Sequence, residues 1–218
     1  MFDSFIDKIK YQLTQELPGK EAQLLMLPSF RAMKRASKPP IKSSVLILLY
    51  PFKNDIYTVL IKRAEYDGFH SSQISFPGGK YENSDKDLSK TALRETYEEI
   101  GVSPNSINII GQISPIYIPV SNFTAKPYIG YINEKPDFKI DNFEVNRVIN
   151  VKISELQDNK NKQLGVFKVG NKQIQAPCYN ANGDKIWGAT AMVLSEFLKI
   201  VKQADLSNSK HFDNPCSD

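Results

Sequence analysis

The chain has 218 residues, of which 41% are hydrophobic and 24% are charged, and its formal net charge is +4. These values are typical of a globular domain with a full hydrophobic core. They exclude a membrane span, because no apolar run approaches ~20 residues, and the mild basic excess does not indicate a nucleic-acid groove. The N-terminus lacks a signal-peptide core, and Cys178 and Cys216 lack metal-ligand spacing. A cytoplasmic location is therefore predicted.

Apolar residues recur at helical spacing near the N-terminus, at Phe2, Ile6, Ile9 and Leu13. This spacing predicts an amphipathic helix over residues 3–16, ended by Pro18 and Gly19. Its polar face is not basic enough for a membrane surface, so we expect the helix to pack on the domain. Residues 28–43 are rich in proline and basic side chains, which predicts an extended connector. Residues 1–42 therefore form a predicted N-terminal segment.

The rest of the chain predicts a mixture of strands and helices. Ser44 to Tyr50 is a continuous apolar run, which predicts a strand buried on both faces. The further predicted strands are residues 56–63, 74–76, 107–113, 125–132 and 145–151, and hairpin turns are predicted at 170–171 and 182–183. The predicted helices are residues 87–100, N-capped by Asp85 or Asp87, and residues 189–203. These elements predict one α/β sandwich over residues 43–204 and a polar tail over residues 205–218.

Three glutamates crowd the last two turns of the helix predicted at residues 87–100. At 100° per residue, Glu95, Glu98 and Glu99 lie within roughly a third of the helix circumference. These like charges repel, and the C-terminal end of a helix disfavours anions. A bound cation would offset both effects, whereas the alternative interpretation is an ordinary solvated face. All-oxygen ligands favour Mg²⁺ or Mn²⁺.

The opposite side of this helix and the turn before it also carry predictions. Leu93, Tyr97 and Ile100 are spaced as an apolar stripe, which predicts that their face is buried. Gly78 and Gly79 precede the helix and permit backbone angles and close approaches that a side chain would block. We therefore expect the glycine turn to fix the positions of the carboxylates.

The segment from Gly79 to Val102 resembles the Nudix box, in which a glycine and a loop acid precede Arg-Glu-U-x-Glu-Glu-x-Gly-U, where U is a bulky aliphatic residue. The residues that match are Arg94, Glu95, Glu98, Glu99, Gly101 and Val102. Thr96 occupies the first aliphatic position, and the loop acid Asp85 lies one residue too far from Arg94. The resemblance implies a Nudix-type α/β/α sandwich with a central mixed β-sheet and a metal-dependent diphosphatase activity.

Two further elements resemble the coenzyme A pyrophosphatase subfamily. The first comprises residues 59–63 and 70–79, and the second runs from Ile186 to Ala191. Gly68 and Ser72 replace an arginine and a glycine expected in the first element. The resemblance implies hydrolysis of coenzyme A or acyl-CoA to 3′,5′-ADP and 4′-phosphopantetheine. The alternatives are another Nudix substrate, such as an ADP-sugar, NADH or a nucleoside triphosphate, and a non-catalytic nucleotide-binding module.

The resemblance and the helix geometry together predict the site residues. Glu95 and Glu99 are the expected principal metal ligands, and Glu98 is a ligand or the general base. Arg94 is expected to tie down the glycine loop through an ion pair. The predicted catalytic residues are Glu98, Glu95 and Arg94, the predicted substrate-binding residues are Arg63, His70, Gln73, Gly78 and Gly79, and Glu144 is a candidate further acid. The expected partners are a small-molecule nucleotide substrate and, from the resemblance, a second copy of the chain in a homodimer.

Overall fold

The computed structural model describes residues 1–29, 38–65, 72–169 and 172–206. Within these ranges the helices are α1 (Phe2–Leu13), α2 (Gly19–Leu24), α3 (Leu88–Ile100), α4 (Ile153–Gln157) and α5 (Gly188–Leu206). The strands are β1 (Ile41–Phe52), β2 (Asp55–Arg63), β3 (Ile74–Ser75), β4 (Gly78–Lys80), β5 (Asn108–Gln112), β6 (Ile116–Ile118), β7 (Phe123–Tyr131), β8 (Val145–Lys152), β9 (Lys162–Val169), β10 (Lys172–Ala181) and β11 (Asp184–Trp187).

Strand β1 lies at the centre of a mixed sheet. It pairs in parallel with β7, where Ile47 lies opposite Ile129, and antiparallel with β2 and β4. β2 also pairs with β3 and β8, and β7 also pairs with β5 and β6. β9, β10 and β11 form a separate antiparallel sheet of three strands. The larger sheet brings the ends of β2, β4 and β8 close to α3, where the acidic cluster lies.

The predicted burial of β1 on both faces is confirmed. Leu46, Leu48 and Tyr50 pack in the hydrophobic cluster that contains the buried side chains of α3. Ile47 and Leu49 face the other way and pack in the cluster that contains α1 and α5. Each fully buried aliphatic side chain contributes about 1.5–3 kcal/mol, so the unbroken apolar run specifies a strand covered on both sides. The molecule is an α/β/α sandwich around a central mixed sheet, as the sequence predicted.

The N-terminal segment differs in part from its prediction. α1 ends at Leu13, three residues earlier than expected, and its buried residues Ile6 and Ile9 pack on the domain as expected. Gly19 does not follow the end of this helix but begins α2, which the sequence did not predict. The reason is a distant side chain. Glu196 of α5 is fully buried, and its carboxylate accepts hydrogen bonds from the Gly19 backbone N–H at 3.2 Å and the Gln23 amide at 2.8 Å.

In the C-terminal part, α5 begins one residue earlier and ends three residues later than predicted, so it includes the first two residues of the tail predicted at residues 205–218. Asn182 and Gly183 have φ angles of 53° and 90°, which suits the tight turn that joins β10 to β11. The turn predicted at residues 170–171 lies outside the described residues, as do residues 207–218 of the tail predicted at residues 205–218. Among the described residues, no helix combines the length and the apolar character that a bilayer crossing requires.

Candidate active site

The glycine turn packs directly against β1 and α3. Gly78 has a φ of 149°, and a Cβ atom there would lie 2.2 Å from the Ser44 carbonyl oxygen. A Cβ atom on Gly79 would lie 2.5 Å from the carboxylate of Glu95. Neither position can hold a side chain without moving its neighbours. The turn therefore sets how close the Glu95 carboxylate lies to the backbone of β4, which is the close approach that the sequence predicted.

Helix α3 begins and ends as predicted. Asp87 is the N-cap, and its carboxylate accepts hydrogen bonds from the backbone N–H groups of Ser89 and Lys90 at 2.7 and 3.2 Å. Gly101 lies just past the helix with a φ of 73°, and its N–H donates to the Tyr97 carbonyl at 2.9 Å. Both caps are local, so the sequence was sufficient to locate them.

The predicted apolar stripe on α3 is wrong at one position. Leu93 and Ile100 are buried, but Tyr97 is 56% exposed. The buried face instead includes Thr96 and Glu99, both fully inaccessible. The hydroxyl of Thr96 donates to the Ala92 carbonyl at 2.7 Å, which explains how a polar residue replaces the aliphatic one expected there. The buried face of α3 therefore includes one residue of the acidic cluster, Glu99, and leaves Tyr97 at the surface.

Glu99 is a buried carboxylate held from two sides. The backbone N–H of Gly78 donates to its Oε2 at 2.8 Å, and Nη1 of Arg63 lies 3.3 Å from its Oε1. Burial raises the pKa of this carboxyl to about 8, although Arg63 and the Gly78 N–H both act to lower it. The nearby charges of Glu95 and Glu144 raise the pKa further. A buried acid in such a position is stabilised by any additional positive charge.

Glu144 reaches the same cluster from a different part of the chain. Its carbonyl accepts a hydrogen bond from the Ala64 N–H at 2.8 Å, where β8 begins beside the end of β2. Its negative charge acts to raise the pKa of both Glu95 and Glu99, so the three acids interact electrostatically. Arg63 ends β2 at this point, and its buried Nε has no hydrogen-bond partner within the described part of the chain. Three acids and one arginine thus converge near the glycine turn.

Arg94 connects the loop before α3 to the acids of the helix. Its Nη1 lies 3.0 Å from Glu95 and 2.8 Å from Glu98, and its Nη2 donates to the Lys80 carbonyl at 3.0 Å. Its Nε and Nη2 also donate to the two carboxylate oxygens of Asp85, each at 3.0 Å. Arg94 thus contacts the chain directly after the glycine turn through a carbonyl, while its ion pairs are with Asp85 and the helix acids.

The displaced loop acid Asp85 is buried and closely held. Besides Arg94, it accepts hydrogen bonds from the Thr91 hydroxyl at 2.9 Å and the Glu82 N–H at 3.0 Å. The hydrogen bonds from Arg94 hold its pKa at about 2, below the ordinary value. Its contacts join the loop to the first turns of α3. The sequence alone did not reveal this role, because the spacing departs from the Nudix pattern.

The donor chemistry of the cluster fits a hard divalent cation, although its side chains are held in ion pairs. Five acidic side chains, those of Asp85, Glu95, Glu98, Glu99 and Glu144, share only two guanidinium groups, so negative charge is in excess even when Glu99 is neutral. Burial raises the pKa of Glu95 as well as that of Glu99. Within the described ranges, no three acidic, histidine or cysteine side chains are grouped closely enough to hold a metal ion as they stand. The reason is that Arg94 lies between Glu95 and Glu98, while Glu99 turns toward Arg63.

The two elements that resemble coenzyme A pyrophosphatases come together near the end of β2. Gln73 lines a cavity together with Trp187, which lies in the second resembling element. The two elements also touch directly, since the Thr190 hydroxyl donates to the Ile74 carbonyl at 2.9 Å. His70 lies outside the described residues. Three lysines of the same cavity were missed, because they come from strands widely separated in sequence and no local pattern marks them.

The sequence matches the NUDIX domain family over residues 40–162. It is 25% identical over 211 residues to Nudix hydrolase 3 of Caenorhabditis elegans, covering 84% of this chain and 86% of that protein. It is 32% identical over 162 residues to the mitochondrial Nudix hydrolase 15 of Arabidopsis thaliana, covering 71% of this chain but only 56% of that protein. The crystal structure of a MutT/nudix family protein from Enterococcus faecalis matches 79% of this chain and 66% of its own, with a TM-score of 0.49 and 17% identity.

The family match covers more than half of the chain, and it includes the glycine turn, the whole of α3 and Glu144. Members of this family generally use divalent metals and bind nucleotide-type small molecules. The protein therefore belongs to the Nudix family and is a Nudix hydrolase, a diphosphatase that acts on phosphoanhydride bonds.

Proposed function

We propose that this Nudix hydrolase cleaves the diphosphate bond of coenzyme A or an acyl-CoA, releasing 3′,5′-ADP and 4′-phosphopantetheine. The observation that carries the substrate assignment is the meeting of the two sequence elements that resemble coenzyme A pyrophosphatases. They lie far apart in the chain, yet Gln73 of the first and Trp187 of the second line one cavity. Their proximity supports a common role in binding one ligand near the end of β2, the strand whose last residue, Arg63, contacts Glu99.

The proposed roles follow from burial and contacts. Glu95 and Glu99 are the principal ligands for Mg²⁺ or Mn²⁺, because burial makes their negative charges costly without a cation. A bound divalent cation supplies a water of lowered pKa and neutralises the bridging phosphates. Glu98 is 52% exposed, so its carboxylate can exchange Arg94 for another partner and act as a ligand or accept a proton from water.

The remaining residues position these groups. Arg94 acts in catalysis by holding Glu95 and Glu98 next to each other and to the chain after the glycine turn. We assign Gly78 and Gly79 to the substrate side as the turn that holds the Glu95 carboxylate close to β4, and Arg63 supplies a guanidinium at the end of β2. The Nε of Arg63 is a donor that a phosphate oxygen could satisfy. We assign His70 and Gln73 to the substrate side, and Glu144 to the acidic cluster.

Steady-state hydrolysis of a substrate panel tests this proposal. The panel contains coenzyme A, acetyl-CoA, ADP-ribose, NADH and a nucleoside triphosphate, each with Mg²⁺ or Mn²⁺. We expect coenzyme A or acetyl-CoA to give the highest kcat/KM, and Glu98→Gln or Glu99→Gln to lower kcat by about 10²–10⁴-fold. Glu134→Gln, at an exposed acid outside the cluster, serves as the control and should change nothing. A clear preference for ADP-ribose, NADH or the triphosphate would contradict the proposed substrate.

Three organisational proposals accompany the catalytic one. The Nudix domain spans residues 43–204, preceded by the segment 1–42 and followed by the tail 205–218. The protein forms a homodimer, and its partners are small nucleotides rather than nucleic acids or membranes. Light scattering on the purified chain should give twice the monomer mass of 24.7 kDa. A cytoplasmic location stays a prediction from the sequence.

A further inference from the structure

A cavity lies between the end of β2, strand β3 and the three-stranded sheet. Its volume is about 390 Å³, which is within the range of small-molecule pockets. The side chain of Lys62 lines it, whereas the next residue, Arg63, contacts the buried Glu99. Consecutive residues of a strand point to opposite faces of the sheet, so the cavity and the acidic cluster lie on opposite faces at the end of β2. A ligand that contacts both has to pass around the end of this strand.

One wall of the cavity is a pair of stacked aromatic rings. Phe167 of β9 and Trp187 of β11 lie with their ring centroids 4.5 Å apart and their planes 15° from parallel. The two strands are not neighbours, since both pair with β10. The rings meet because Gly165 has no side chain, and a Cβ atom there would lie 2.7 Å from Cζ of Phe167. The two rings cover one face of each other, so the aromatic surface left for a ligand is an outer face of this stack, of the kind that stacks on nucleobases.

The charges that line the cavity are mainly positive. Lys62, Lys168 and Lys185 contribute three ammonium groups, and none of the three has an acidic partner within 4.0 Å in the described part of the chain. Asp184 is the acid among the lining residues, and its carboxylate is paired with Arg147 at 2.5 Å. The uncompensated charge favours an anionic ligand, and lysine ammonium groups commonly bind phosphates as point charges.

We propose that this cavity, the lysine–tryptophan pocket lined by Lys62, Lys168, Lys185, Phe167 and Trp187, binds a nucleotide through a phosphate monoester separate from the scissile diphosphate. The aromatic surface takes the base, and the lysines take the phosphate. This inference rests on the proposed function, in which the 3′-phosphate of coenzyme A is that monoester. The pocket then accounts for a preference for substrates that carry a 3′-phosphate. In the proposed function the acidic cluster acts on the diphosphate, which substrates with and without a 3′-phosphate share.

Tryptophan fluorescence gives a binding assay that does not depend on catalysis. Trp187 is the single tryptophan of the chain, so its emission reports on this pocket. Without divalent metal, we titrate the full chain with adenosine 3′,5′-bisphosphate and, separately, with AMP. We expect the bisphosphate to change the emission and to bind about tenfold more tightly than AMP. Equal affinity for the two nucleotides, or no change in emission, would overturn the inference.

Lysine substitutions identify the groups responsible. Lys168→Ala and Lys185→Ala should each weaken bisphosphate binding by about fivefold to tenfold and leave AMP binding unchanged. Lys202→Ala removes an exposed lysine of α5 outside the pocket and should have no effect. If all three variants bind the bisphosphate equally well, the lysines do not form the site.

Kinetics separate this inference from the proposed function. With coenzyme A as substrate, Lys168→Ala and Lys185→Ala should raise KM by about fivefold to tenfold without changing kcat, while KM for 3′-dephospho-CoA stays constant. If the wild type hydrolyses coenzyme A but the lysine variants match it on both substrates, the pocket inference fails and the proposed function stands. If the wild type does not hydrolyse coenzyme A but binds the bisphosphate through these lysines, the proposed function fails and the pocket inference stands.

Discussion

Replacing Asp85 with asparagine tests how the loop after the glycine turn is held to α3. Asp85 is buried and accepts four hydrogen bonds, two from Arg94, one from Thr91 and one from the Glu82 backbone. Asparagine has nearly the same shape, but it carries no charge and can accept only one of the two hydrogen bonds from Arg94. The substitution therefore removes an ion pair and leaves a donor of Arg94 without a partner.

The magnitude follows from the pKa of this carboxyl. The pKa is held at about 2 in the folded protein, against about 3.9 in an unfolded chain. A shift of this size corresponds to at most about 2.5 kcal/mol of folding free energy, and solvent screening around Arg94, which is 22% exposed, reduces it to about 1–2 kcal/mol. Because the folded pKa is the lower one, this stability is fully present above about pH 4. It is lost as the pH falls toward about 2.

Urea denaturation at neutral pH and at about pH 3 provides the measurement. At neutral pH, Asp85→Asn should lower the free energy of unfolding by about 1–2 kcal/mol, and the difference from the wild type should shrink as the pH falls. Asp87→Asn is the matched control, since asparagine is as good an N-cap as aspartate and little change is expected. A difference for Asp85→Asn that is the same at both pH values would refute the electrostatic explanation.

Three other substitutions have definite expected outcomes. Glu99→Gln should change the free energy of unfolding by less than about 1 kcal/mol, because burial raises the pKa of Glu99 to about 8 and the neutral acid already predominates at neutral pH. The same protein preparation should have lost its hydrolase activity. Gly79→Ala should lower kcat by about 10–100-fold, since the Cβ of alanine would lie 2.5 Å from the Glu95 carboxylate. Lys80→Ala, which changes an exposed side chain next to it, is the control and should leave kcat unchanged. Glu196→Ala should lower the free energy of unfolding by about 1–3 kcal/mol, because the donors that Glu196 accepts from lose their acceptor. It should also make α2 more sensitive to proteolysis, and unchanged protease resistance would contradict this.

The sequence located features of the site that depend on neighbouring residues in the chain. The caps of α3 at Asp87 and Gly101 were predictable because a capping carboxylate and a glycine with positive φ act within a few residues. The glycine turn was predictable for the same reason, and its spacing from the glutamates indicated the family. The position of Arg94 on the helix was also evident, but its pairing with Asp85 was not, because the loop between them contains one residue more than the pattern allows.

Long-range packing decided the rest of the site. The periodicity of α3 predicted Tyr97 as buried and gave no sign that Glu99 would be, and both outcomes depend on what lies beside each residue. Glu99 is buried because the end of β2 supplies Arg63 and the turn supplies the Gly78 N–H. A helical wheel contains no information about such partners.

The sequence by itself determined the sandwich architecture, the ends of α3 and the acidic pattern that defines a Nudix hydrolase, because each rests on residue spacing within a short segment. Only the tertiary structure decided which acids are buried, that Glu196 anchors α2, and that Lys62, Lys168 and Lys185 share a cavity with Trp187. These contacts join segments distant in the chain, and their energies depend on desolvation and charge at the meeting point. No local pattern records that environment.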